Sequence, residues 1–145
     1  MIRLIIMTRI STARKINSSD ELVWNIISNI DKDPDYWYGI KAVKNIKKEG
    51  NTTERETIIA FRGSKCIELV TLIPHKQITI VIREGPIVGT KIINLTKLDT
   101  EKCEIKVDWD IHMKGLMSLF TFLIKKHILE GTDEALERIA KKVER

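Results

Sequence analysis

Cysteine, proline and aromatic residues are scarce in this chain, and each scarcity excludes something. The two cysteines among 145 residues, Cys66 and Cys103, have no CxxC or CxxH spacing beside them. That argues against a zinc module and against a disulfide-stapled secreted scaffold. Both fall in apolar, strand-like runs and read as reduced core thiols of a cytoplasmic protein. No apolar run reaches the roughly 20 residues of a membrane span. The longest, Leu116–Ile124, is interrupted by Ser118 and Thr121. Met1–Met7 lacks the small-residue cleavage site of a signal peptide. It is either an upstream start, with Met7 the true one, or an extension of the first strand. There is no nucleophile elbow, no Gly-rich phosphate loop and no HExxH, so no catalytic residue, metal or cofactor is implied. The net charge of +5 comes from lysines spread along the chain. It reads as a solvated surface of mild basic bias, not as a nucleic-acid stripe interleaved with aromatics.

What is present describes one domain over residues 1–145, with 1–7 as a possible N-terminal extension; no repeat, linker or low-complexity tract divides it. Thr8–Ile16 reads as a first strand. Ser18-Ser19-Asp20-Glu21 forms a capping box, with Ser18 as the cap and Glu21 reaching back. Leu22, Val23, Ile26, Ile27 and Ile30 then recur at helical spacing, predicting a short amphipathic helix over Ser19–Asn29. Asp33-Pro34 starts a second short helical turn that ends at Gly39. After Gly39 the period changes from 3.6 to 2. Strands are predicted over Ile40–Lys48, Thr53–Arg62, Lys65–Ile73, Gln77–Arg83, Val88–Leu98 and Cys103–His112, joined by short turns that favour an antiparallel meander. From Leu116 to Val143 there is no proline and one glycine, Gly131. This predicts one long helix, strongly apolar in its first half and amphipathic in its second.

Alternation assigns the faces. Cys103, Ile105, Val107, Trp109 and Ile111 share one face, with charged residues between them, and should point to the core. The same reasoning turns Ile78, Ile80 and Ile82 inward, and Thr57, Ile59 and Phe61. Val88, Thr90, Ile92 and Asn94 are taken as inward because Lys91 and Lys97 prefer water. Lys65–Ile73 is ambiguous between Ile67, Leu69, Ile73 and Cys66, Val70, Leu72.

The order β-α-α-β6-α, the Leu-Val-Trp at Leu22–Trp24, the Asp-Pro-Asp-Tyr-Trp at Asp33–Trp37 and the charged hairpin at Lys47–Asn51 resemble the START/Bet v 1-like (SRPBCC) superfamily, in its polyketide cyclase/dehydrase and lipid-transport branch. The resemblance implies an α+β helix-grip fold: a seven-stranded antiparallel sheet wrapped around a long C-terminal helix, with two short helices after strand 1. It also implies an apolar cavity between sheet and helix that takes a lipid, quinone or polyketide-like molecule. Fold alone does not choose among these.

The candidate residues follow from that picture. Phe61, Trp109, Leu116, Phe120 and Leu123 are expected to form the apolar wall, with Trp37 at the mouth. Thr90, Asn94 and His127 are expected to supply polar contacts. Gly131 reads as room for cargo, as a packing notch with Ala135 against the sheet, or as a bend in the helix. His75 and His112 read as solvated, and Asp108 and Asp110 as outward. The expected partner is a hydrophobic small molecule. No nucleic acid, no stable membrane insertion and at most transient membrane contact are expected. The rival reading is a cyclase or dehydratase in which His127 or an inward carboxylate moves a proton. A third is a protein-interaction module that uses the lysine-rich hairpin.

Overall fold

A computed structural model of the chain describes residues 6–144. Of the Met1–Met7 stretch, 1–5 lie outside the described residues, and Ile6 and Met7 precede the first strand without joining it. Seven strands are present: β1 Thr8–Ile16, β2 Ile40–Glu49, β3 Thr52–Ile59, β4 Lys65–Ile73, β5 Gln77–Glu84, β6 Ile87–Asp99 and β7 Lys102–Met113. They form one antiparallel sheet in the order β1-β7-β6-β5-β4-β3-β2. Strands β2 to β7 are a meander, and β1 adds to its far edge beside β7. The helices are α1 Asp20–Ile27, α2 Asp33–Tyr36 and α3 Thr121–Val143.

The helix starts differ from the sequence expectation. Ser19, not Ser18, caps α1: its hydroxyl accepts from the Leu22 amide at 3.2 Å. The C-terminal helix begins at Thr121, not at Leu116, because Gly115–Phe120 is a tight 3-10 segment. The Ser118 hydroxyl donates to the Gly115 carbonyl and the Thr121 hydroxyl to the Ser118 carbonyl, both at 2.8 Å. Such local side-chain bonds compete with α-helix formation. Strand β3 stops at Ile59, so Phe61 sits in a short 3-10 turn, Phe61–Gly63, and not on the strand.

The inner face of the sheet is built from Cys103, Ile105, Val107 and Ile111 of β7, Ile78, Ile80 and Ile82 of β5, and Ile93 and Leu95 of β6. On β4 the buried set is Cys66, Glu68 and Val70. The second half of α3 carries all of the helix's buried residues, while Ile124, Ile128 and Leu129 of the first half are only partly buried against Ile10, Ile111 and Met113. The buried residues are Thr132, Ala135, Leu136, Ile139 and Ala140, and all of them lie beyond Gly131. The β6 assignment is corrected by the structure. Lys91, Ile93 and Leu95 face inward, while Val88, Thr90, Ile92 and Asn94 are half-buried on the other face. The rule that lysine seeks water lost to ladder register, which sets Lys91, Ile93 and Leu95 opposite Trp109, Val107 and Ile105.

One glycine fixes the β6–β7 approach. Gly89 has φ +137°, and a Cβ there would collide with the Asp110 carbonyl oxygen and come within 2.8 Å of the Ile111 Cα. Gly89→Ala is expected to lower the unfolding free energy by about 2 kcal/mol or more. Urea denaturation checks this, and an unchanged midpoint would refute it.

Candidate functional site

The C-terminal half of α3 is tied down, and its N-terminal half spans a hollow. The Trp109 indole donates to the Thr132 hydroxyl at 3.1 Å, and that hydroxyl donates to the Ile128 carbonyl at 2.7 Å. The Arg138 guanidinium donates to the Tyr36 carbonyl at 2.8 Å and stacks on the Tyr38 ring at 3.4 Å. Ahead of these anchors, α3 stands off the sheet over a cavity of about 580 Å³. Ile80 and Ile82 of β5, Cys66 and Glu68 of β4, Lys91 of β6 and Trp109 of β7 form its floor. Met117, Ile124, Ile128 and Thr132 line the helix side. Tyr38, Gly39, Ala60 and Phe61 face Leu123, His127 and Gly131 across the mouth, and all seven are exposed. A Cβ on Gly131 would meet nothing within 4 Å, so this glycine is not a packing notch.

Of the residues singled out from sequence, Trp37, Phe61, Trp109, Leu123 and His127 line the cavity. Four do not. Thr90 and Asn94 lie on the opposite face of β6, where Asn94 accepts from the Gln77 side chain at 2.8 Å. Leu116 and Phe120 are 75% and 56% exposed on the 3-10 segment, outside the wall. The expectation that they form wall goes with a helix starting at Leu116; on the 3-10 segment ahead of Thr121 both side chains stand in solvent.

Sequence reasoning missed the charged group beneath the cavity. Arg55 is fully buried. Its guanidinium donates to Asp33 at 2.8 Å, to Glu68 at 3.0 Å and to the Ile30 carbonyl at 3.1 Å. Burial raises the Asp33 carboxyl above its ordinary range despite the Arg55 pairing, whereas the two carboxylates hold Arg55 firmly charged. Lys91 is the fourth member. Its ammonium lies 3.3 Å from the Trp37 ring centre and 4.8 Å from that of Trp109. Among the described residues it makes no hydrogen bond or ion pair, and it borders the cavity. Burial pulls its pKa down to about 8, opposed by Asp33 and Glu68 and reinforced by Arg55. The signal was in the alternation: Arg55 shares parity with Thr57, and Glu68 with Cys66 and Val70. Burial pushes both thiols, Cys66 and Cys103, up to about 11, which makes them poor nucleophiles near neutral pH.

Solved structures similar to this one share its architecture. The Zhui aromatase/cyclase from a Streptomyces strain superposes with a TM-score of 0.85 at 14% identity, covering 97% of this chain and 95% of that one. This is the helix-grip fold. A START superfamily protein from Mycobacterium smegmatis matches with a TM-score of 0.75 at 19% identity, over 92% of this chain and 97% of its own. A point mutant of norcoclaurine synthase from Thalictrum flavum, in complex with a transition-state analogue, matches at 0.69 and 16%, over 97% and 96%. No family model matches the chain, and no curated protein matches it by sequence. At these identities the helix-grip likeness speaks for the fold and leaves the cavity's chemistry to this chain's own residues.

Two tests follow from the buried charges. Arg55→Met would leave two buried carboxylates without their cation, and a loss of about 3–5 kcal/mol in unfolding free energy is expected. A loss below 1 kcal/mol would show that water already reaches the group. Lys91 gives a pH signature. Its folded pKa lies below the ordinary lysine value, so between about 8 and 10.5 the unfolded chain holds more protons and stability rises with pH. The stability of the wild type relative to Lys91→Met should therefore grow by up to about 3 kcal/mol across that window. Denaturation at pH 7.5, 9 and 10 measures it, and a flat difference would mean an unshifted lysine.

Proposed function

We propose that this chain binds a hydrophobic small molecule, of the lipid, quinone or polyketide-like kind, in the cavity between sheet and α3. The observation that carries the reading is a mostly apolar hollow of about 580 Å³ with the buried Lys91 at its floor. That size falls in the range of small-molecule sites, about 300–1,000 Å³. Removal of apolar surface from water supplies the affinity, and Lys91 sets the orientation. The formal charges of Asp33, Glu68, Arg55 and Lys91 sum to zero, so the floor suits a neutral acceptor oxygen, a carbonyl or hydroxyl, without calling for an anion. Trp37, Trp109, Phe61 and Leu123 contribute apolar wall, and His127 stands at the rim.

The same lysine favours a second reading, a cyclase or dehydratase acting on an enolisable ligand. An ammonium donating to the ligand's carbonyl oxygen stabilises the enolate formed when a base removes the α-proton. Glu68 is engaged by Arg55, which leaves His127 as the candidate base. Solvent-deuterium incorporation at the α-carbon of a bound ketone, lost in Lys91→Met and His127→Gln, separates this reading from simple carriage.

Uptake of the neutral fluorophore N-phenyl-1-naphthylamine tests the binding reading. Saturable one-to-one uptake is expected. Ile128→Trp, which fills the hollow from the helix side, should weaken it at least tenfold with an unchanged circular dichroism spectrum. Lys91→Met should weaken a ketone-bearing aromatic about tenfold and leave its oxygen-free analogue unaffected. No uptake by the wild type, or equal uptake by Ile128→Trp, would sink the proposal.

A further inference from the structure

A run of exposed large apolar side chains lies on the segment that leads into α3. Leu116, Leu119, Phe120, Phe122 and Leu123 are 75%, 74%, 56%, 79% and 61% exposed. Five large apolar side chains, each more than half exposed within eight consecutive residues, are not the scattered surface leucines of an ordinary monomer. The segment does not need them for packing. Met117 and Ile124 supply its contacts with the core, on the opposite side of the same turns.

Along this segment the charge has one sign. Between Asp110 and Glu130 the sequence has no acidic residue, and its charged side chains there are Lys114, Lys125 and Lys126, all exposed. Arg62, exposed on the neighbouring 3-10 turn beside Phe61, adds a fourth cation across the cavity mouth. An apolar ridge flanked by cations and free of acids is the pattern of an interfacial segment: the rings and leucines enter the acyl boundary while the lysines meet anionic headgroups. No described helix is long and apolar enough to cross a membrane, so the segment would lie on the surface and not span it.

We propose that residues 114–126 form a docking surface for an anionic lipid bilayer. The charge distribution selects this occupant over a second copy of the chain. A two-fold contact through the ridge would bring Lys114, Lys125 and Lys126 of one copy towards the same lysines of the other, with no acid in the segment to answer them. Leu123 belongs both to the ridge and to the cavity rim. Docking therefore turns the cavity mouth towards the lipid. The proposal stands on the exposed ridge and its charges, whether or not the cavity holds a ligand.

Co-sedimentation with vesicles of phosphatidylcholine alone, and of phosphatidylcholine with 30% phosphatidylserine, tests it. The wild type should pellet with the anionic vesicles at 0.1 M salt, at least tenfold more tightly than with the neutral ones, and should be released at 0.5 M salt. Leu119→Asp/Phe122→Asp should lose at least tenfold in vesicle affinity with an unchanged melting temperature, because both side chains are solvated in the folded protein. Lys125→Glu/Lys126→Glu should remove the preference for anionic lipid. The proposal is overturned by a wild type that stays in the supernatant, or by an aspartate variant that pellets as well as wild type. It is equally overturned by sedimentation equilibrium showing that the ridge pairs two copies and that vesicles do not compete.

Discussion

A guanidinium enclosed in an apolar interior cannot be left without partners, and the fold is arranged around that requirement. Arg55 takes one acceptor from the turn before α2, one from α2 itself and one from β4. A single side chain on β3 thereby fixes where the helical excursion between β1 and β2 sits on the sheet. The gain is in position more than in energy, since a buried ion pair sets its attraction against a large desolvation cost. Lys91 extends the group to β6. It is steadied by the faces of Trp37 and Trp109, and not by a carboxylate in contact.

The cavity follows from how α3 is attached. The residues from Thr132 onward meet the sheet through Leu136, Ile139 and Ala140, while those before Gly131 reach the core mainly through Ile124, Ile128 and Leu129. A helix pinned along one half and supported at its far end leaves a gap over a curved sheet. The bonds from Trp109 and Arg138 hold the boundary between the halves and the nearer lip of the mouth. The hollow is thus a product of where the apolar stripe of α3 ends.

Much of this was legible in the residues. Strict alternation in Cys103–Ile111 gave the correct face of β7, and Ile78, Ile80 and Ile82 gave that of β5. The limits of β1 and β4 fall where the turn residues put them. The failures on the sheet faces share one cause: a residue type outvotes the period. Lys91 was assigned to water because it is a lysine, which inverted β6 and directed Thr90 and Asn94 inward. The Ile93–Leu95 phase and the facing Val107 and Ile105 demanded the reverse. Arg55 escapes notice for the same reason, and Glu68 reads as a surface acid, although one cation and one anion on inward phases of adjacent strands are what a neutral buried group requires. The 3-10 turn ahead of α3 was hidden because Leu116–Ile124 has the composition of a helix, and only the hydroxyls of Ser118 and Thr121 betray the tighter winding.

The one-sided attachment of α3 separates two burdens that most helices carry together. Between Thr121 and Gly131 a substitution at Leu123, Ile124, His127 or Ile128 bears first on the hollow, and beyond Thr132 one at Leu136, Ile139 or Ala140 bears first on the packed layer. Descendants of such a chain are free to change what they accept while inheriting an intact scaffold. The half of the helix that holds none of its buried residues is the half on which new specificity can be tried.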